Sequence, residues 1–308
     1  MDRKVIRIGT RGSKLALWQA EKVRSLLQEQ GIECAIVTVD TYGDLQTKDA
    51  LHRLGRIGIF TKQLDLALLD NMVDIAVHSA KDMPSEEDND LHIAAFLKRE
   101  DPRDVMLGMS EEISLENFAK PLTIGTSSLR RAALIKRYFP HVTVKNIRGN
   151  LDTRLEKLKK GEYDGILLAY AGVKRMNFSK YIRHKFKTVV FPPAIGQGAI
   201  AVSCRKNDPR RTQIHQILNH QTTALSVQAE RAFLRTLRGG CQTPVFGLAT
   251  IIGTEIELKA GVISEDGSEL FEKTGRSTQE NAIQLGQKIG EEIRQEIQGN
   301  QAFARFGV

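Results

Sequence analysis

The sequence predicts an α/β fold: two successive α/β lobes, then a small C-terminal α+β domain. Three observations carry this. Apolar strand-like runs alternate with helical patterns from the N-terminus, as in sheets covered by helices on both faces. The alternation restarts at PLTIGTSSLRRAALIKRYFP. From Gln221 the pattern changes to a long helix, short strands and a closing helix. A chain of 308 residues with 41% apolar and 27% charged residues is long enough for several cores.

In the first lobe KVIRIGTR reads as a strand and SKLALWQAEKVRSLLQEQG as a helix capped by Ser13, with Ala16, Ala20, Val23 and Leu27 at helical spacing and Gly31 as its stop. IECAIVTV is a second strand, IFTKQLDLALLDN a helix, VDIAVHS a third strand, and LHIAAFLKREDPRD a strand running into a crossover. This order implies a mostly parallel sheet. The second lobe reads as strand, Ser-rich turn and helix, then VTVKNIRGN as strand and turn, LDTRLEKLKKGEYD as a helix and GILLAYAG as a buried segment. The Pro- and Gly-rich FPPAIGQGAIAVSCR is the expected return crossover. TTALSVQAERAFLRTL, the strands PVFGLATII, IELKAGVIS and ELFEKTG, and the helix QENAIQLGQKIGEEIRQEIQ complete the third domain. The expected divisions are 1–97 with 198–217, 103–192, and 221–308. Hinges are expected at 98–103 and 191–197.

No apolar run approaches the ~18 residues of a membrane span. The charged N-terminus MDRKVIRIGTRGSKLALWQ lacks the apolar core of a secretory signal. Cys34, Cys204 and Cys241 are widely spaced and form no CxxC pair, which argues against a disulfide framework or a zinc site and suits a cytoplasmic protein. The net charge of +8 points to anionic partners. Yet no dense basic tract or nucleic-acid module is present, and no Walker A or GxGxxG sequence. The seven histidines show no metal-binding pairing and read as structural.

Chemistry-bearing residues cluster where strands end. HSAKDMP follows a strand, and loops at the carboxyl ends of strands in open α/β sheets hold ligands. Asp82 beside Lys81 is either a catalytic carboxylate with a cationic neighbour or part of a solvated turn. In TSSLRR, Ser127 or Ser128 caps a helix whose N-terminus attracts anions, yet Arg130 and Arg131 oppose the dipole there. An anionic ligand relieves that conflict, and so do salt bridges to a neighbouring domain. Arg148 and Arg154 in NIRGNLDTR, Arg175 in AYAGVKR and Arg11 after the first strand repeat the placement. Singly each is an ordinary surface charge; their recurrence suggests a ligand with several carboxylates or phosphates. RGGCQTP sets Cys241 in a glycine-rich turn, which leaves four readings: an inert turn residue, a metal ligand, a nucleophile or an attachment point.

IGTRGSKLALWQA, IFTKQLDLALLDN, DIAVHSAKDMP, IGTSSLRR, NIRGNLDTR, LAYAGVKR, PPAIGQGAI and AERAFLRTLRGGCQTP together resemble the porphobilinogen deaminase (hydroxymethylbilane synthase) family of tetrapyrrole biosynthesis, over nearly the whole chain. The resemblance implies two lobes similar to those of periplasmic solute-binding proteins, a cleft active site and a monomer. It implies condensation of four porphobilinogen molecules head to tail, with loss of ammonia, into hydroxymethylbilane. It also implies a dipyrromethane cofactor, joined by a thioether to Cys241, and Asp82 as the catalytic carboxylate. No metal, nucleic acid or membrane partner is implied. Each substrate ring carries an acetate and a propionate. On this resemblance Arg11, Arg130, Arg131, Arg148, Arg154 and Arg175 neutralise them, aided by Ser13, Lys81, Thr126, Ser128 and Gln197. The rival reading is a non-catalytic, two-lobed polycarboxylate-binding protein.

Three places depart from the family pattern. Arg56-Ile57-Gly58-Ile59-Phe60 stands where Gly-Lys-Gly-Leu-Phe is common. Ser203 replaces a frequent acidic residue, and Arg238 a frequent glutamate.

Overall fold

The computed structural model describes residues 5–39, 61–116, 121–238 and 243–306. Its contacts separate two units, Met1–Arg99 with Ala199–Ala224 and Glu100–Gly198 with Leu225–Val308.

The first unit is built on one five-stranded sheet. Its elements are β1 (Ile6–Thr10), α1 (Lys14–Gln28), β2 (Cys34–Thr38), α2 (Lys62–Leu69), β3 (Ile75–Ser79), β4 (Leu91–Phe96), β10 (Ile200–Arg205) and α6 (Arg211–Leu218). The strand order is β2-β1-β3-β10-β4. Strands β2, β1 and β3 run parallel, and β10 enters antiparallel between β3 and β4. Ser13 caps α1 by accepting the Ala16 N–H at 3.4 Å. The buried stripe of α1 is Gln19, Ala20, Val23 and Leu27. Ala16 is only half-buried, while Gln19 is buried and its amide donates to Ser79 Oγ at 3.0 Å. The α1 stripe packs with Ile8, Ile75, Val77 and Val202 on one sheet face. Leu64, Ala67 and Leu68 of α2 cover Ala76 on the other, so alternation along β3 sends successive side chains to two cores.

The second unit holds two sheets. The first contains β5 (Asp104–Gly108), β6 (Leu122–Gly125), β7 (Val142–Lys145), β8 (Gly165–Ala169) and β9 (Ile182–Lys185), in the order β7-β6-β8-β5-β9. Strands β7, β6 and β8 are parallel, while β5 runs antiparallel to both β8 and β9. Helices α3 (Leu129–Tyr138), α4 (Leu151–Lys159) and α5 (Tyr170–Arg175) follow β6, β7 and β8. The second sheet is the antiparallel meander β11 (Val245–Ile252), β12 (Glu255–Ile263) and β13 (Leu270–Thr278). Phe233 and Leu237 of α7 (Gln221–Thr236) and its following residue, with Ile289, Ile293 and Ile297 of α8 (Ala282–Ile297), pack against Ile256, Leu258 and Ala260 of that meander. The two helices touch closely enough that a Cβ at Gly286 would collide with the Ala229 carbonyl. At the tip of the β12–β13 turn, Arg137 of α3 donates to the carbonyls of Gly267 (3.0 Å) and Ser268 (2.9 Å), which fastens the meander to that helix.

Both five-stranded sheets place an antiparallel strand beside the third parallel one. In each, that strand is the first the chain makes after passing from the other unit: β5 after Arg99/Glu100 and β10 after Gly198/Ala199. The mostly parallel sheets expected from the alternation are thus mixed. GAIAVSCR, read as part of a crossover, supplies an interior strand between β3 and β4. The stretches 98–103 and 191–197 lie largely within the second unit's bonding: Gln197 Nε2 donates to Pro102 O at 2.7 Å, Arg130 to Pro192 O at 2.6 Å, and the Gly247 N–H to Pro193 O at 3.0 Å.

Candidate active site

In the first unit β1 and β3 are parallel neighbours, Ile8 beside Ile75, so their carboxyl ends open on the same sheet edge. Arg11 and Ser13 follow β1. After β3 the chain makes a single 3₁₀ turn, Ala80–Asp82. Asp82 is exposed, Lys81 half-buried, and Met83 buried beneath the turn. The turn is held by backbone: the Ala80 N–H donates to Ala199 O at 3.1 Å and the Met83 N–H to Ala80 O at 3.3 Å. The exposed carboxylate is therefore fixed by groups other than its own side chain. One residue before the Gln19–Ser79 contact, His78 lies buried, its Nε2 3.0 Å from Ser203 Oγ. Burial, and then the positive charge of Arg11, push its pKa down to about 4, so the imidazole is neutral near pH 7. The Ser203 departure gives His78 a neutral hydrogen-bonding partner.

The other described candidates belong to the second unit, where β6, β7 and β8 end on a common edge. After β6, the hydroxyl of buried Thr126 accepts the Ser128 N–H (3.2 Å), and Ser128 Oγ caps α3 by accepting the Arg131 N–H (3.4 Å). After β7, Arg148 is exposed, and Asn150 caps α4 by accepting the Thr153 N–H at 2.9 Å. Arg154 donates to Gly149 O at 2.8 Å and to Ser127 Oγ at 3.2 Å, which ties the ends of β6 and β7 together. At the end of α5, Arg175 Nη2 donates to Gly198 O at 2.8 Å. Burial draws its pKa down to about 10, against the opposing charge of Glu100.

Arg130 and Arg131 are buried, at 3% and 6% exposure, and both grip a carboxylate that the sequence did not announce. Asp104 accepts Arg130 Nη2 at 2.7 Å on one oxygen and Arg131 Nε and Nη2 at 2.9 and 2.7 Å on the other. Gln197 Nε2 adds a bond to Asp104 at 2.9 Å, while its carbonyl accepts from Arg131 Nη2 at 3.4 Å. Asp104 reaches this edge because β5 is antiparallel: its first residue pairs with Ala169, the last of β8. Burial raises the Asp104 pKa, but the two guanidinium charges prevail and hold it at about 2. An internal anion thus answers the conflict between these arginines and the α3 dipole. The answer is incomplete, since two buried cations share one carboxylate and Arg130 Nε has no hydrogen-bond partner.

Cys241, Arg56 and Ile57 lie outside the described residues. On the near side of Cys241 the chain leaves α7 through buried Leu237 and exposed Arg238, which adopts φ +55°; on the far side Pro244 and Val245 are buried as β11 begins. Among the described residues no group of three or more His, Cys, Asp or Glu side chains is arranged to hold a metal. No described helix is long and apolar enough to cross a membrane.

Residues 6–213 match the family model "Porphobilinogen deaminase, dipyromethane cofactor binding domain", and residues 224–295 match "Porphobilinogen deaminase, C-terminal domain". A protein named porphobilinogen deaminase from Desulfosudis oleivorans is 41% identical over 94% of each chain. One of the same name from Cytophaga hutchinsonii is 42% identical, over 93% of this chain and 92% of its own. Among solved structures, a periplasmic substrate-binding protein from Coxiella burnetii overlays with TM-score 0.42 at 15% identity, covering 74% of this chain and 97% of that one. That overlay is too loose to assign the fold, which rests on strand order. The two family models and the full-length relatives agree: the chain belongs to the porphobilinogen deaminase family.

Proposed function

We propose that this protein is an enzyme of tetrapyrrole biosynthesis that condenses four porphobilinogen molecules head to tail into hydroxymethylbilane, releasing ammonia at each addition. The observation that carries the reading is an exposed carboxylate, Asp82, on a sheet edge shared with Arg11 and Lys81, in a chain matched nearly end to end by this family. The reading includes a dipyrromethane primer bound through Cys241, the three-domain division 1–97 with 198–217, 103–192 and 221–308, and a monomeric cytoplasmic protein.

The residues present fit a primer that carries several carboxylates. The Asp104 cluster holds one more buried positive charge than negative and leaves Arg130 Nε orphaned, as a site for further anionic groups would. Arg130, Arg131, Arg148, Arg154, Thr126, Ser128 and Gln197 would hold it, with Cys241 as the tether. When bound, the primer supplies the nucleophilic pyrrole carbon from which the product grows. Arg11, Ser13 and Lys81 in the first unit, and separately Arg175 in the second, are the remaining groups for ring acetates and propionates, which guanidinium forks bind at two points. Asp82 accepts the pyrrole N–H of the reacting substrate. Positive charge spreads onto that ring as ammonia departs, and a fixed carboxylate stabilises it more than it stabilises the neutral ground state. The same carboxylate holds a proton between steps. Because backbone bonds from Ala80 and Met83 set the turn, Asp82 meets that charge with little reorganisation.

Incubation with porphobilinogen tests the reading. The expected result is release of one ammonia for each substrate molecule consumed and a linear tetrapyrrole product. Binding without consumption would favour the non-catalytic polycarboxylate binder instead.

A further inference from the structure

Two successive carbonyls on the return connection are committed to different partners. Gly198 O accepts Arg175 Nη2 at 2.8 Å and the Glu100 N–H at 3.2 Å. The next carbonyl, Ala199 O, accepts the N–H of Ala80, which opens the turn ending in Asp82. Topology explains the arrangement. Strand β10 is antiparallel to β3 and pairs Ile200 with Ser79, so the residues entering β10 arrive where β3 delivers its turn. The boundary between the two units falls on this same Gly198–Ala199 bond. Gly198 has φ +91°, a conformation that side-chain-bearing residues rarely adopt, so the chain can swivel here more freely than at its neighbours.

The Arg175 contact is one that a ligand can win. A guanidinium bonded to a neutral carbonyl gains roughly half of what it gains from a carboxylate. Arg175 also faces the negative charge of Glu100, so a substrate carboxylate competes with that charge as well as with Gly198 O, and gains most at the neutral carbonyl.

We propose that the Gly198–Ala199 link is a relay between carboxylate recognition and the catalytic turn. A carboxylate that takes the Arg175 guanidinium leaves the Gly198 carbonyl to the longer Glu100 N–H bond alone, the peptide turns at the glycine, and the hold of Ala199 on Ala80 loosens. Asp82 is thereby repositioned between additions as the product lengthens, and the Ala80 bond re-forms to fix the turn for the next loss of ammonia. Arg175 acts on Asp82 through the backbone and is a positioning residue for it. The relay rests on the reading above that Arg175 meets substrate carboxylates.

Amide hydrogen exchange of the primer-loaded enzyme tests the relay at the Ala80 N–H. In the wild-type enzyme, limiting porphobilinogen should speed Ala80 exchange on the order of tenfold, the weight of one lost hydrogen bond. Arg175→Gln should show the fast exchange before substrate and no further rise; Arg175→Lys, which restores a cationic donor, should slow it again. Exchange along β12 should stay unchanged throughout, which separates the relay from general loosening; a variant that speeds β12 as well leaves the decision to the wild-type measurement. Ala80 exchange that porphobilinogen leaves unchanged or slows in the wild-type enzyme overturns the relay. A raised KM in Arg175→Gln with unaltered Ala80 exchange overturns the relay while the carboxylate reading stands. An unchanged KM with fast Ala80 exchange keeps the backbone link and removes the carboxylate as its trigger.

Discussion

Asp82→Ala is expected to lower turnover at least ~10²–10³-fold while the protein stays folded. The size follows from removing a preorganised electrostatic partner from a charge that develops only as ammonia leaves. The fold survives because the Asp82 side chain is exposed and the turn is fixed by the Ala80 and Met83 amides, which the substitution leaves in place. Stability should move by no more than about 0.5 kcal/mol, as for a surface position. Asp82→Asn should lose nearly as much turnover, since it keeps the shape and removes the charge. Ammonia release under saturating porphobilinogen measures both variants. Near-normal turnover in either would take the catalytic role away from Asp82.

The second large effect is on stability. Asp104→Ala leaves Arg130 and Arg131 buried with no carboxylate between them, and breaking such a cluster costs about 3–5 kcal/mol. The pH dependence has a definite sign. The folded pKa of Asp104, about 2, lies below the ordinary value of about 3.9, so its stabilisation is complete above about pH 4 and is lost as the pH falls through about 2. The gap between wild type and variant in urea unfolding should therefore be full at pH 7 and shrink toward pH 2. Equal midpoints at pH 7 would mean that the cluster is no structural hub. Turnover should fall too, because Arg131 and Gln197 lose the group that orients them.

The sequence shows what is local. Ser13, and Ser127 or Ser128 as alternatives, announced helix starts because a capping oxygen must sit just before the N–H groups it satisfies; the structure selects Ser128. The strand ends carrying Arg11, Asp82, Arg130, Arg148 and Arg175 could be placed because a strand and its following helix have different periods. Asp104 could not: its partners lie 26 and 27 positions away, and its usefulness depends on β5 running antiparallel. The His78–Ser203 contact spans 125 positions and escapes for the same reason. The interior place of β10 was hidden by its short apolar run after a Pro- and Gly-rich stretch, which reads as a crossover until Ile200 is found beside Ser79. Arginine recurrence suggested a candidate site, but did not distinguish Arg130 and Arg131, buried against an internal carboxylate, from exposed Arg148.

A covalent primer at Cys241 and stepwise growth upon it are the centre of the proposed function. Intact mass of the purified protein, taken before and after limiting porphobilinogen, tests both at once. The expected mass exceeds that of the chain by one dipyrromethane and then rises in steps of one pyrrole unit, while Cys241→Ser carries no excess. An active protein with the mass of the bare chain, or an excess that persists in Cys241→Ser, would contradict it.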